Sequence, residues 1–243
     1  MSNSGLVTHT RISPNRTSPR NHVIDTVTIH CYVGQVTAER GVNGSRFTKY
    51  DPKNGSSCNY VVGYDGSIGL VVPESDRSWC SSNAENDHRA VTIEVASENF
   101  HPYAVTYEAY SALIDLLIDI CHRNGIKRLI WSSARAYRVY HRNGCNMTVH
   151  RDFAAKACPG DYLYQRHGKI ADEVNRRLKK MEYSQFVEFM ERYRQEQGNL
   201  PPSDWAEEGL AKAKERGITD GTRPQSEATR QEVALMINAA LKG

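Results

Sequence analysis

The sequence predicts an α/β protein: a central mixed β-sheet flanked by helices, with a small helical module appended at the C-terminus. Three observations carry that prediction. Runs rich in β-branched residues alternate with segments of helical periodicity over roughly the first 180 residues, the pattern of an α/β layer structure. Within this region Asp65-Gly66 sits between the apolar runs Asn59-Tyr60-Val61-Val62 and Ile68-Gly69-Leu70-Val71-Val72, a strong short-range hairpin signal. Beyond Leu178 the chain becomes polar and its helices shorten. Three segments are therefore expected: a principal domain over 1–180, a helical linker over 181–202, and a module over 203–243 whose core is thin.

Bulk properties narrow the function. The chain has 243 residues, 39% hydrophobic and 24% charged, enough to bury a real core. Its mean hydropathy is −0.61, and nothing approaches the roughly 20-residue apolar run of a membrane helix. The start, Met1-Ser2-Asn3-Ser4-Gly5, is polar and lacks the apolar core of a signal peptide. Synthesis in the cytoplasm is expected, and any action outside would need another component for release. Six cysteines are too sparse for a disulfide scaffold, and no C-x-x-C pair is present. A net charge of +3, without a basic stripe interleaved with aromatics, argues against a nucleic-acid partner.

Taken in order, residues 1–26 carry turn formers and scattered arginines and read as an extended surface lead-in. Val27-Thr28-Ile29-His30-Cys31-Tyr32-Val33 reads as a buried strand. Residues 34–57 read as a loop or short helix, followed by the hairpin and by a polar loop over 73–90 around Trp79, whose ring suits a packing anchor or a ligand platform. Val91-Thr92-Ile93-Glu94-Val95-Ala96 is a further strand. Thr106 to Asn124 is the clearest helix, capped by Thr106, with Leu113, Leu116, Leu117, Ile120 and Cys121 at helical spacing and Gly125 at its end. Leu129-Ile130-Trp131-Ser132 reads as a short strand, and Ile170, Val174 and Leu178 mark another amphipathic helix. Tyr183–Gln197, Trp205–Arg216 and Arg230–Leu241 read as helices, the last with a capping box in Thr229-Arg230-Gln231-Glu232.

Chemistry concentrates in His150-Arg151-Asp152-Phe153-Ala154-Ala155-Lys156-Ala157-Cys158-Pro159-Gly160. Imidazole and thiolate are the ligands zinc favours, and a catalytic zinc takes three protein ligands and keeps one position open. This segment offers two. His30, on the first long strand, is a candidate third; taken alone, a strand histidine is more often a satisfied core or edge group. Glu94 is open in the same way. A carboxylate inside an apolar strand is costly to bury unless paired or bound, and the plain alternative is a pleat that turns it to solvent.

Together these residues resemble the zinc-dependent type 2 N-acetylmuramoyl-L-alanine amidases, the family that includes phage amidases and the peptidoglycan recognition proteins. The resemblance rests on Thr28-Ile29-His30-Cys31, on the hairpin Asn59-Tyr60-Val61-Val62-Gly63-Tyr64-Asp65-Gly66, on Thr92-Ile93-Glu94-Val95, and on His150-x5-Lys156-Ala157-Cys158-Pro159-Gly160, in the family's order over roughly residues 20–178. It implies the peptidoglycan recognition protein-like amidase fold, a Zn2+ ion held by His30, His150 and Cys158, and Lys156 as the oxyanion-stabilising lysine. One branch of the family uses a tyrosine base where this chain has Cys58. Another uses a glutamate at the position of Glu94, which implies that Glu94 activates the hydrolytic water. Trp79 and Asn59 fall where the resemblance implies substrate contacts, although the family's common histidines, beside Trp79 and beside the position of Cys58, are here Cys80 and Asn59. Cys31, Cys58 and Cys80 then fall near one another, where a disulfide could form.

The C-terminal segment resembles an S-layer homology repeat, through Trp205-Ala206, Leu210-Ala211-Lys212-Ala213, Gly217-Ile218-Thr219-Asp220-Gly221 and Thr229-Arg230-Gln231-Glu232. Such repeats bind secondary cell-wall polymers, usually in sets of three. With one copy here, wall binding through assembly of two or more chains is a hypothesis. Residues 203–243 carry six Lys/Arg against seven Asp/Glu, and the rest 25 against 21, so attraction to an anionic wall lies mostly in the principal domain. The resemblances imply a phage or prophage endolysin that reaches peptidoglycan through holin-type release. Two other classes remain: a non-catalytic peptidoglycan-binding protein, which typically lacks the cysteine ligand, and a cysteine-type wall peptidase using Cys158 or Cys31.

Overall fold

The computed structural model describes residues 2–241, with the side chains of 180–182, 184 and 185 left out of the description. The chain divides into two compact units, Met1–Lys179 and Lys180–Gly243.

In the first unit the elements are β1 (His9–Thr10), β2 (Arg16–Thr17), β3 (Thr26–Cys31), α1 (Ala38–Val42), α2 (Ser45–Thr48), β4 (Tyr60–Val62), β5 (Ile68–Leu70), β6 (Arg77–Ser78), α3 (Ala84–Arg89), β7 (Ala90–Val95), α4 (Tyr107–Asn124), α5 (Arg135–Val139), β8 (Met147–Thr148) and α6 (Gly160–Tyr164). Six strands form one mixed sheet in the order β1-β5-β4-β7-β3-β8, while β2 and β6 make a separate antiparallel pair. Only the β4–β5 hairpin runs antiparallel in the large sheet, with Tyr60 opposite Leu70 and Val62 opposite Ile68. This is the mixed, helix-flanked sheet expected from the sequence.

β3 and β7 form the centre. Their sequences, TVTIHC and AVTIEV, are dominated by β-branched residues that pack well on a pleated surface, and every residue of both strands is buried. Because side chains alternate along a strand, the two faces differ in chemistry. Val27, Ile29, Val91, Ile93, Val95, Tyr60 and Val62 point into one large core with Leu113, Leu116, Leu117 and Ile120 of α4 and with Ile170 and Val174. The opposite face carries Thr28, His30, Thr92 and Glu94. Beside them lies a smaller cluster of Val42, Phe47, Cys58, Val61, Val71 and Val72.

The polar residues of that second face are satisfied locally. The hydroxyls of Thr28 and Thr148 lie 2.8 Å apart, and Asn86 bridges them, donating to Thr28 at 3.0 Å and accepting from Thr148 at 2.8 Å. On this face α1 also comes very close to the sheet. A Cβ at Gly69 would sit 2.4 Å from Val42 Cγ1, and one at Gly41 would sit 2.6 Å from Val61 Cγ1.

α4 ends as its sequence predicts, with Thr106 Oγ1 accepting from the Ala109 N–H and Gly125 in the left-handed region at φ 68°. Three expectations are corrected. Leu129–Ser132 is not a strand: Asn175 exchanges two 2.8 Å hydrogen bonds with the Leu129 backbone, and Asn146 Oδ1 accepts from the Ile130 N–H at 2.8 Å, so side-chain amides replace a ladder. The N-terminal lead-in is no mere surface strand, since β1 pairs in parallel with β5 and Asn15 and Arg20 are buried. Nor is 73–90 a plain loop, because it contains β6 and the Asn83-capped α3.

The helix expected around Ile170 and the one expected over 183–197 are a single element, α7 (His167–Gly198). The second unit continues with α8 (Glu207–Glu215) and α9 (Arg230–Ala240). α9 has the predicted capping box, Thr229 Oγ1 accepting from the Glu232 N–H and Glu232 Oε2 from the Thr229 N–H at 2.7 Å. None of the described residues in α8 or α9 is buried. No helix among the described residues is long and apolar enough to cross a membrane.

The tight approach of α1 yields a stability prediction. Gly69→Val places methyl groups where Val42 already sits, and overpacking of this kind costs about 1–3 kcal/mol. Urea unfolding should register a loss of that size, and an unchanged midpoint would show that α1 can move aside.

Candidate metal centre

The polar face of the sheet builds the site. In the parallel pairing of β3 with β7, His30 lies directly opposite Glu94, with Val61 of β4 on the far side of Glu94. His30 is 1% exposed and Glu94 9%.

The remaining groups come from the loop after β8. Pairing of Thr148 with Thr28 ends the sheet, and a single 3-10 turn, His150–Asp152, follows. Asp152 anchors that turn. Its Oδ2 accepts from the Val149 N–H at 3.1 Å, while the buried Arg138 donates to both carboxylate oxygens at 2.9 and 2.6 Å. Further on, Arg151 donates to the carbonyl of Ala157 and pairs with Asp161 at 3.2 Å, and its N–H bonds the Cys158 carbonyl at 3.3 Å. The loop is thereby folded back so that Cys158 faces the strand.

Three ligand-type side chains converge. One ligand atom from each of His30, His150 and Cys158 lies within 4.8 Å of the other two. Cys158 Sγ is 3.3 Å from His30 Nδ1, and the two imidazoles meet edge to face with centroids 5.1 Å apart. The Ser82 hydroxyl, 3.0 Å from His150 Nε2, steadies that ring.

The electrostatics suit a cation. Burial, with lesser contributions from His150 and Arg46, holds His30 well below the usual histidine range; burial and then Lys156 lower His150. Both rings are neutral near pH 7 and keep a lone pair for a metal. A hydrogen bond with Cys31, then burial and the field of Glu94, keep the Cys158 thiol well above its ordinary range, so a cation must draw off its proton. Burial raises Glu94 to about 7, against the opposing charge of Arg46. Glu94 Oε2 and His30 Nε2 are buried without a hydrogen-bond partner. Two neutral imidazoles and a thiol are the donor set of a three-ligand zinc, and an unpartnered carboxylate beside them is what a hydrolytic site needs. The residues fit the ion.

Each residue singled out in the sequence now has a place. Lys156 is exposed on the loop, with its ammonium near enough to His150 to lower that ring's basicity. Trp79 is half-buried, its Nε1 donating to Thr17 Oγ1 at 3.0 Å and its ring 6.5 Å from that of Tyr50. Asn59 corrects the expectation of a substrate contact. It is 0% exposed; its amide donates to the carbonyls of Val72 and Pro73 at 3.1 and 3.3 Å and accepts from the Thr92 N–H at 3.0 Å. It staples the hairpin to β7. None of the six cysteines is in a disulfide. Cys31 bonds Cys158, whereas Cys58 and Cys80 feel the charge of Glu94.

Arg46 is the residue that sequence reasoning missed. From α2 its guanidinium stacks 4.0 Å from the Tyr32 ring centroid and donates to the Tyr32 carbonyl at 3.2 Å, with its charge acting on both Glu94 and His30. Its only local signal was the aromatic Phe47 beside it.

A sheet face that brings ligand-type side chains together near a buried carboxylate has the outline of a hydrolase site. Residues 19–161 match the family model described as N-acetylmuramoyl-L-alanine amidase, and this chain belongs to that family. Its activity is hydrolysis of the amide between N-acetylmuramic acid and L-alanine in peptidoglycan. No curated relative matches the sequence. Among solved structures, a selenomethionine derivative of AmpD superposes with a TM-score of 0.50 at 15% identity, covering 69% of this chain and 96% of that one. PlyL gives 0.48 at 16% identity, with 68% and 95% covered. The endolysin LysCS from Clostridium intestinale URNW gives 0.46 at 17%, with 68% and 96% covered. The likeness to AmpD is one of fold.

The raised Glu94 carboxyl makes a pH prediction for metal-stripped protein. It ionises near 7 when folded against an ordinary 4.5, so the folded state holds the proton more tightly. Its contribution to stability is full below pH 4.5 and is lost as pH climbs past 7, a change of about 3 kcal/mol by pH 8. Glu94→Gln removes that loss. The stability gap between Glu94→Gln and wild type in urea should therefore widen in favour of the variant as pH rises from 4.5 to 8; a gap that stays constant contradicts the assignment. Asn59→Ala, by contrast, strands buried backbone groups and should cost about 3 kcal/mol, with KM for peptidoglycan unchanged in the folded fraction.

Proposed function

We propose that this amidase is zinc-dependent and serves a phage or prophage as an endolysin. One observation carries the zinc reading: His30, His150 and Cys158, from two distant parts of the chain, bring one ligand atom each within 4.8 Å of one another, and His30 stands opposite Glu94, whose Oε2 is buried without a hydrogen-bond partner. Bound there, zinc supplies a Lewis acid for the scissile carbonyl and acidifies water to a pKa of about 7.

The chain's own groups account for the proton movements. Glu94, unpartnered at Oε2, accepts the proton of the attacking water and returns it to the nitrogen of the L-alanine amine as the amide breaks. A carboxyl that ionises near 7 can do both at neutral pH. Arg46 keeps a positive charge near that carboxylate and favours its ionised state. Lys156, on the exposed rim, offers its ammonium to the oxygen that becomes negative. The buried face of the sheet excludes bulk water around Glu94, which strengthens each of these interactions.

The observations weigh against the competing readings. A cysteine peptidase needs a thiolate, and the Cys158 thiol is held well above its ordinary range. A purely binding protein has no need of an unpaired buried carboxylate, which costs stability.

The endolysin role rests on the family and on the C-terminal segment with its resemblance to a wall-binding repeat. In this reading the protein is made in the cytoplasm and reaches the wall by holin-type release. The second unit retains it on secondary wall polymers, as a single chain or in a homo-oligomer. Trp205, 89% exposed, lines a cavity of about 560 Å³ with Ser203, Leu210 and Pro224, a fitting place for a sugar ring to stack.

Mass spectrometry of digested sacculi tests the chemistry. Wild type should free the lactyl–L-alanine bond, Glu94→Gln should be slower by about 10²–10⁴-fold, and a chelator should abolish cleavage until zinc is restored. Intact lactyl–peptide bonds with split glycan or cross-bridges would refute it. For the second unit, Trp205→Ala should sediment less with purified walls while hydrolysing soluble fragments at the wild-type rate; equal sedimentation removes Trp205 from wall binding.

A further inference from the structure

His30 belongs to two overlapping donor sets. In the first it meets His150 and Cys158. In the second, a ligand atom of His30, Cys80 Sγ and a carboxylate oxygen of Glu94 also lie within 4.8 Å of one another. Cys80 has no part in the proton movements assigned to Glu94 or in the first donor set. Two members of the second set lack partners: Glu94 Oε2 and His30 Nε2 are buried polar atoms without a hydrogen bond, on residues 9% and 1% exposed. His30 Nδ1 is the nitrogen that lies against Cys158, so the orphaned Nε2 is the other side of the ring. Glu94 Oε2 is short of a donor and His30 Nε2 of any partner, and a cation that displaces the ring proton satisfies both at once.

We infer that Cys80, Glu94 and the His30 ring form a second cation site beside the first, one that takes a thiophilic divalent ion such as Zn2+ or Cd2+. Thiolate with imidazole selects these ions over Mg2+ and Ca2+, which prefer all-oxygen ligands. The second ion binds more weakly. It must displace the Cys80 thiol proton, and it shares the His30 ring with the first ion only if that ring gives up its remaining N–H proton. Two protons are thus released for one cation gained, and the site fills after the first.

Occupancy has a functional consequence, which rests on the reading of Glu94 as the base. A carboxylate that ligates a cation has its lone pair engaged and cannot take the proton of water. The second ion is therefore an inhibitor: one zinc activates and a second silences. Cys80 makes the enzyme sensitive to free zinc or cadmium, and its loss relieves that sensitivity with the proton-transfer groups in place.

Cd2+ titration of the metal-stripped full-length protein tests this, followed by equilibrium dialysis and by thiolate-to-cadmium charge-transfer absorption. Wild type is expected to bind two equivalents, the second adding a further thiolate band, and Cys80→Ser only one. Zn2+ beyond one equivalent should then suppress wild-type hydrolysis of sacculi by about 10²-fold, the scale of a lost general base, with little effect on Cys80→Ser. A single equivalent in wild type, or two in Cys80→Ser, overturns the second site; the wild-type stoichiometry decides alone if the variant does not fold. One equivalent that His150→Ala abolishes overturns this inference but leaves the zinc amidase reading intact, whereas no uptake at all removes both. Two equivalents with undiminished hydrolysis uphold the site and refute Glu94 as the base.

Discussion

The register of β3 against β7 is the constraint on which the site depends. Parallel pairing sets His30 beside Glu94, and alternation sends Ile29 and Ile93 to the opposite face, into the main core. A slip of one residue would turn the imidazole and the carboxylate among leucines and expose isoleucines on the polar side. Burial of the apolar face therefore enforces the geometry of the polar one. Core and site are two faces of the same pair of strands.

What the sheet positions, the loop after β8 completes. His150 and Cys158 reach His30 because Asp152, held by the buried Arg138, and Arg151, paired with Asp161, fold the segment back on itself. The result is a site under electrostatic tension. Imidazoles are kept neutral, a thiol is kept protonated, and a carboxyl rises to about 7 because burial strips these groups of water while Arg46 offers only partial compensation. Such a cluster costs stability when empty of charge partners, and each strained group is one that gains from a cation. Function here is located where the polar face is least satisfied.

Much of this was legible in the residues. The central strands, the hairpin around Asp65-Gly66 and the Thr106-to-Gly125 helix declared themselves through β-branched runs, turn chemistry and caps, which are local signals. The strand expected at Leu129–Ser132 failed because its backbone bonds go to the side chains of Asn146 and Asn175, partners that no periodicity reveals. β1 stayed hidden because two residues at a sheet edge leave no pattern, and Asn59 was misread because a buried staple and a surface contact use the same side chain. Glu94 was open between solvent and site until pairing with β3 and β4 buried it on both sides. Arg46 and Ser82 were invisible for a different reason: they act across the fold, one from the four-residue α2 and one from a short loop, segments whose composition says nothing about what they face.

Coordination of zinc by His30, His150 and Cys158 is the proposal on which the chemistry of the site depends. Zinc K-edge X-ray absorption on the full-length protein at one equivalent of zinc tests it most directly. A first shell with one sulfur at about 2.3 Å and two imidazole nitrogens at about 2.0 Å, the remainder being light atoms, is the predicted result. A shell with no sulfur, or one unchanged when Cys158 is replaced by serine, would contradict it.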